Sequence, residues 1–147
     1  MKKSQICQLL PHSGTMCLID EIVSWDKEML VAKTMSHTKL KNPLNNEGSL
    51  NSIHGVEYAA QAMALHSALI KAEEITQTET ETRGYLASVK NTNILQEYLF
   101  EKQDDDLIPL LIKVFVLMAG SQGFSYQFEV LKDDKVYISG KITIFLL

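Results

Sequence analysis

Thiols are scarce in this 147-residue chain, where Cys7 and Cys17 are the two cysteines and lack Cys-x-x-Cys spacing. No cleavable apolar leader follows Met1, Lys2 and Lys3, so reduced cysteines in a cytoplasmic protein are the expectation. Long hydrophobic runs are missing as well. The longest, Leu107 to Ala119, is interrupted by Pro109 and Lys113 and falls short of the ~20 residues that cross a bilayer, which predicts a soluble protein with no membrane partner. Positive charge is not in surplus. The formal net charge is −4, which removes the electrostatic basis for broad nucleic-acid binding. Lys39 and Lys41 form one small basic spot, fit to meet an acidic carrier or the phosphates of a cofactor arm. There is no internal repeat.

What is present suffices for one core. With 46% hydrophobic residues, a single domain over residues 1–147 is expected. Ser4 to Leu10 is a short amphipathic start, and Pro11 to Gly14 reads as a turn. Met16 to Trp25 and Met29 to Ser36 are apolar, β-branched runs joined by Asp26-Lys27-Glu28, the pattern of an antiparallel hairpin. A long polar connection, Thr38 to Asn51, leads to a helix from Ile53 to about Ala72, with Val56, Ala59, Ala60, Met63 and Ala64 on one apolar stripe. Glu73 to Arg83, rich in Thr and Glu, reads as a solvated and disordered connection. Strands are then expected over Gly84 to Leu95, Leu107 to Ala119, Gly123 to Leu131 and Val136 to Leu147. In the last two, Phe124, Tyr126, Phe128 and Val130 share one face, as do Val136, Ile138, Ile142 and Ile144. Lys132 to Lys135 joins them as a hairpin, and Gly140 marks a bulge or a close helix contact. This order predicts an α+β fold in which an antiparallel sheet covers one long central helix.

The chemistry gathers at the start of that helix. Glu57 lies in its first turn, where a carboxylate complements the helix dipole. A carboxyl partly withdrawn from water also holds and delivers a proton more readily, which makes Glu57 a candidate acid. Ser52, Ile53, His54 and Gly55 supply a cap, an imidazole and a backbone without a side chain, and exposed N–H groups at such a terminus attract a developing oxyanion. The His54-x-x-Glu57 spacing also occurs in metal sites, but the second histidine and carboxylate that such sites need are missing, so neither metal nor cofactor is expected.

Two motifs and the order of elements resemble the hot-dog superfamily, specifically the 3-hydroxyacyl-carrier-protein dehydratases. LLPHSGTMCLIDEIVSWD, Leu9 to Asp26, is similar to their opening LPHRYPFLLVDRV, and HGVEYAAQ, His54 to Gln61, is similar to their IEAMAQ helix. With NPL at Asn42 to Leu44 and GYLASV at Gly84 to Val89, the chain resembles still more the predicted dehydratases of aryl-polyene biosynthesis clusters. The resemblance implies a hot-dog fold and dehydration of a 3-hydroxyacyl thioester to the trans-2-enoyl thioester in fatty-acid or polyene-type biosynthesis. The carrier it implies is acyl carrier protein or coenzyme A, and the assembly a homodimer or higher homo-oligomer. Glu57 falls on the catalytic carboxylate and Gln61 on the family's glutamine, while N–H groups around His54, Gly55 and Val56 receive the thioester oxygen. The family's catalytic histidine has no counterpart, since its position falls on Pro43. His37, at the end of the second strand, is the first candidate base and His54 the second; His12 is a third, better suited to holding the first turn, and His66 has no assigned role. Histidine suits the base because its unperturbed pKa is near ~6.5. Hot-dog thioesterases use a carboxylate on this same helix, so an acyl thioesterase is the alternative, and a non-catalytic acyl-thioester-binding subunit is another.

Overall fold

The amphipathic start forms helix α1, Lys3–Leu9, which seats Ile6 in the core. Strands β1, Glu21–Trp25, and β2, Met29–Thr34, make the expected antiparallel hairpin. Asp26 turns it, its carboxylate accepting from the amides of Glu28 and Met29 at 2.8 and 2.9 Å. A short strand β3, Leu50–Asn51, and a 3-10 turn, Ser52–His54, precede the long helix α2, Gly55–Glu73. Then come β4, Gly84–Ile94, β5, Tyr98–Phe100, β6, Leu110–Ala119, β7, Gly123–Lys132, and β8, Lys135–Leu146. This computed structural model describes residues 1–10, 14–73, 84–104 and 107–146, with the backbone alone at 84–87 and 146.

Six strands form one antiparallel sheet in the order β1-β2-β6-β7-β8-β4, while β3 and β5 make a separate two-stranded ribbon. Helix α2 lies against β2, β6 and β7. Between them sit Leu30, Ala32, Ile112, Val114, Tyr126 and Phe128, all buried, so the inward face of each strand supplies the core that the helix covers. The β7–β8 hairpin turns at Asp133 and Asp134, whose φ values of 54° and 62° place both in the left-handed region that tight hairpin turns use.

Several expectations change. Met16 to Asp20 is not part of β1. The Leu18 amide donates to Gln61 Oε1 at 2.9 Å and the Leu18 carbonyl accepts from the hydroxyls of Thr34 and Ser36, so its backbone is held by side chains rather than by a strand ladder. Strand β6 starts one residue after Pro109, which has no amide to give a neighbouring strand. The buried residues of α2 are Gly55, Tyr58, Ala59, Gln61, Ala62, Met63, Leu65, His66 and Leu69, whereas Val56, Ala60 and Ala64 of the expected stripe are half-buried. The helix is rotated because Tyr58 and His66 turn inward with their polar tips bonded. Gly140 faces a bulge, one of the two readings expected for it. A Cβ there would stand 2.9 Å from the Phe128 ring and 3.3 Å from the Lys90 carbonyl, and the bulge lies on the facing strand, between Lys90 and Asn93 of β4.

The cysteines are not reduced thiols. Cys7 and Cys17 form a disulfide, their Cα atoms 5.6 Å apart, because α1 folds back beside the segment that follows it. Of the turn expected over Pro11 to Gly14, residues 11–13, His12 included, lie outside the described residues, while Gly14 opens a 3-10 turn, Gly14–Met16; residues 74–83 of the expected connection also lie outside them.

Candidate active site

Glu57 occupies the first turn of α2 and is half-buried. One turn on, Gln61 is 3% exposed and uses its amide three ways: Nε2 donates to Glu57 Oε1 at 3.0 Å and to the Met16 carbonyl at 2.7 Å, while Oε1 accepts from the Leu18 amide. Four residues separate the pair, so both side chains share one face of the helix. Gln61 thereby fixes the carboxylate and clamps the segment from Met16 to Leu18 beside it.

Gly55 opens the helix where no side chain fits, since a Cβ would lie 2.5 Å from Ile138 Cγ2. Its amide already bonds back to the carbonyls of Ser52 and Ile53, so it is not an open donor. His54 closes the preceding 3-10 turn and is half-buried. Asn51 caps that turn by accepting from the Ile53 amide at 2.9 Å.

His37 lies in a 3-10 turn, Ser36–Thr38, just after β2. It is 1% exposed, packs edge-on against Phe100 at 6.1 Å between ring centroids, and neither ring nitrogen has a hydrogen-bonding partner among the described residues. Burial lowers its pKa to about 4, helped by the nearby Lys132 charge and only partly opposed by the Ile108 backbone and Asp20. His37 and Glu57 are therefore not joined by a hydrogen bond. His66 is wholly buried and structural, its Nδ1 2.6 Å from the Tyr126 hydroxyl and its Nε2 2.6 Å from the Asp26 carbonyl, tying α2 to β7 and to the β1–β2 turn.

A polar relay that the sequence does not announce is anchored on Tyr58, the residue after Glu57. The Tyr58 hydroxyl is 2.8 Å from Ser36 Oγ and accepts from Asn42 Nδ2 at 3.0 Å, and Asn42 Nδ2 also donates to the Ser36 carbonyl. Burial pushes the Tyr58 phenol up to about 12 despite these bonds. The relay fastens the loop containing Asn42-Pro43-Leu44 to α2, and the only sequence signal for it was that tripeptide.

Among the described residues, two of the surface hollows have volumes of about 530 and 330 Å³. Tyr98, Asp104, Lys132 and Tyr137 line the larger and Met118, Phe124, Ile144 and Phe145 the smaller; Glu57 borders neither. Among the described residues no three His, Cys, Asp or Glu side chains gather to hold a metal ion, and no helix is long and apolar enough to cross a membrane.

Residues 4–146 match the ApeP-like family, described as ApeP dehydratase. The chain belongs to this family of dehydratases. Among solved structures, the ApeP-like chain is similar to the dehydratase heterocomplex ApeI:P from Xenorhabdus doucetiae, with a TM-score of 0.79 and 19% identity over 95% of this chain and 89% of that one. A mutant thioesterase from Pseudomonas aeruginosa gives 0.67 and 16% over 100% and 94%, and a thioesterase from Haemophilus influenzae 0.66 and 14% over 100% and 91%. At these identities the likeness concerns fold: the ApeP-like chain has the hot-dog fold, one long helix packed against a large antiparallel sheet. No curated protein matches the chain significantly.

Proposed function

We propose that this ApeP-like chain removes water from a 3-hydroxyacyl thioester, carried by acyl carrier protein or coenzyme A, to give the trans-2-enoyl thioester. The observation that supports this most is the Glu57–Gln61 pair in the first turns of α2 in a chain of a dehydratase family. Elimination needs a base for the α-proton, an acid for the departing hydroxyl and donors for the enolate-like oxygen. Glu57 is the acid, handing its proton to the hydroxyl as water leaves. With the Gly55 amide engaged, Val56 is the candidate donor to the thioester oxygen at the positive end of the helix dipole. Gly55 instead allows close packing of the helix start, and Gln61 orients Glu57.

The choice of base favours His54 over His37. His37 is shut away from solvent and is a weak base, whereas His54 is half-exposed and closes the 3-10 turn three residues before Glu57, beside the helix start. The acyl chain would lie in an apolar tunnel between helix and sheet, completed by a second subunit for which we take a second copy of the chain; that the Xenorhabdus relative is a heterocomplex supports assembly with a further chain. The cytoplasm is the proposed compartment.

Glu57→Gln is nearly isosteric and should keep the fold while lowering turnover by at least ~100-fold, the lower end of acid–base contributions. His54→Ala should lose a comparable factor and His37→Ala much less. Enoyl-thioester formation and free-thiol release are followed together. Thiol release without enoyl product moves the reading to hydrolysis, and acyl-thioester binding with neither product moves it to a non-catalytic subunit.

A further inference from the structure

The disulfide is connected to the candidate acid through one side chain. Cys17 lies between Met16 and Leu18, and Gln61 holds both of those residues by their backbone while donating to Glu57. A displacement of Cys17 therefore reaches the carboxylate through a single amide. The two cysteines differ in exposure, Cys7 being half-buried on α1 and Cys17 only 3% exposed. Helix α1 has a second tie to the same segment, since the Lys3 ammonium donates to the carbonyls of Cys17 and Ile19 at 3.2 Å each. Opening the disulfide would thus loosen the segment without releasing the helix.

We propose that Cys7–Cys17 is a thiol–disulfide exchange site whose oxidised state braces the Glu57–Gln61 pair and whose reduction lowers turnover. The inference rests on Glu57 as the catalytic acid. A dithiol reductant attacks Cys7 Sγ, on the more exposed of the two cysteines, as a thiolate. The Cys7–Cys17 bond breaks, its electron pair leaves on Cys17, and that thiolate takes up a proton. The reductant's second thiolate then attacks its own sulfur in the mixed disulfide and Cys7 departs, so that two electrons enter the protein and the reductant leaves as a disulfide. In a reducing compartment a bond of this kind is transient and serves redox sensing.

The test uses the full chain purified without reductant, before and after treatment with dithiothreitol, beside Cys7→Ser. Alkylation followed by mass measurement should find no reactive thiol before treatment and two after. The Leu18 amide, which bonds to Gln61, should exchange with solvent at least ~10-fold faster after reduction, a change expected of local opening. The melting temperature should fall by about 5–10 °C, as for loss of a short cross-linked loop in a domain of this size. Turnover should drop about threefold or more with KM little changed, in the manner of a misplaced catalytic group rather than lost binding. Cys7→Ser should match the reduced chain and ignore the reductant. Two free thiols before treatment, or equal Leu18 exchange in both states, would overturn the proposal. So would faster exchange with unchanged turnover. No turnover in either state, with the Leu18 difference intact, supports the brace and refutes the dehydratase reading instead.

Discussion

At the residue scale, His37 converts burial into a pH dependence. Its ring titrates near 6.5 in an unfolded chain and near 4 in the fold, because the buried cation is disfavoured. Between those values the unfolded state binds the extra proton, so acid favours unfolding. The stability that this histidine contributes is complete above about pH 6.5 and lost as the pH falls toward 4, amounting to about 3 kcal/mol over the window. Urea unfolding at pH 7 and pH 4.5 should register most of that loss, and His37→Leu should flatten it. An NMR titration placing the His37 ring near its unperturbed pKa would contradict the account. Asp20 acts lower on the scale. Burial works to raise its carboxyl, but bonds from Lys3 and the Met35 amide outweigh this and hold it below the usual carboxylate value. Its contribution is present above about pH 3.8 and lost as the pH falls further.

At the element scale, the β7–β8 hairpin carries a correctable compromise. Asp133 and Asp134 both adopt positive φ, a conformation that costs a residue with a Cβ and suits glycine in the second position of such a turn. Asp134→Gly should raise the unfolding free energy by roughly 0.5–1 kcal/mol, read as a shift in the denaturant midpoint at constant slope. Loss of stability would mean that the Asp134 carboxylate does more in the turn than fill it. This hairpin is legible in the sequence because its strands alternate over a long stretch, and Glu57 because it falls in the first turn of an expected helix. Gln61 stands out only through the family resemblance; the spacing of four explains why the two side chains meet. Other features depend on contacts made far along the chain. The segment Met16 to Asp20 looked like a strand by composition, yet Gln61, Thr34 and Ser36 claim the backbone groups of Leu18. The buried face of α2 was misjudged because Tyr58 and His66 pattern as polar until their bonds to Ser36, Asn42, Tyr126 and Asp26 are known. Strands of two and three residues, β3 and β5, are too short for any period to register.

At the scale of the whole molecule, β4 is an edge. Its backbone pairs with β8 along one side, and along its other side no strand lies among the described residues. An open edge of this length invites pairing with another chain, and a two-fold pairing of β4 with β4 would continue the sheet across both subunits. Each copy carries a formal charge of −4, so two copies repel at long range, and added salt should strengthen their association. A distinct partner of opposite charge would respond the other way, its binding weakening as salt is raised. Sedimentation of the chain alone at micromolar concentration should give twice the mass of one chain, with the dimer favoured from 50 to 300 mM salt. Hydrogen exchange supplies the local half of the same test. Those β4 amides that point away from β8 face no strand among the described residues and should exchange rapidly in dilute solution, then become protected as concentration rises. A monomer at all concentrations, with these amides unprotected until a second hot-dog protein is added, would replace the homodimer by a mixed pair.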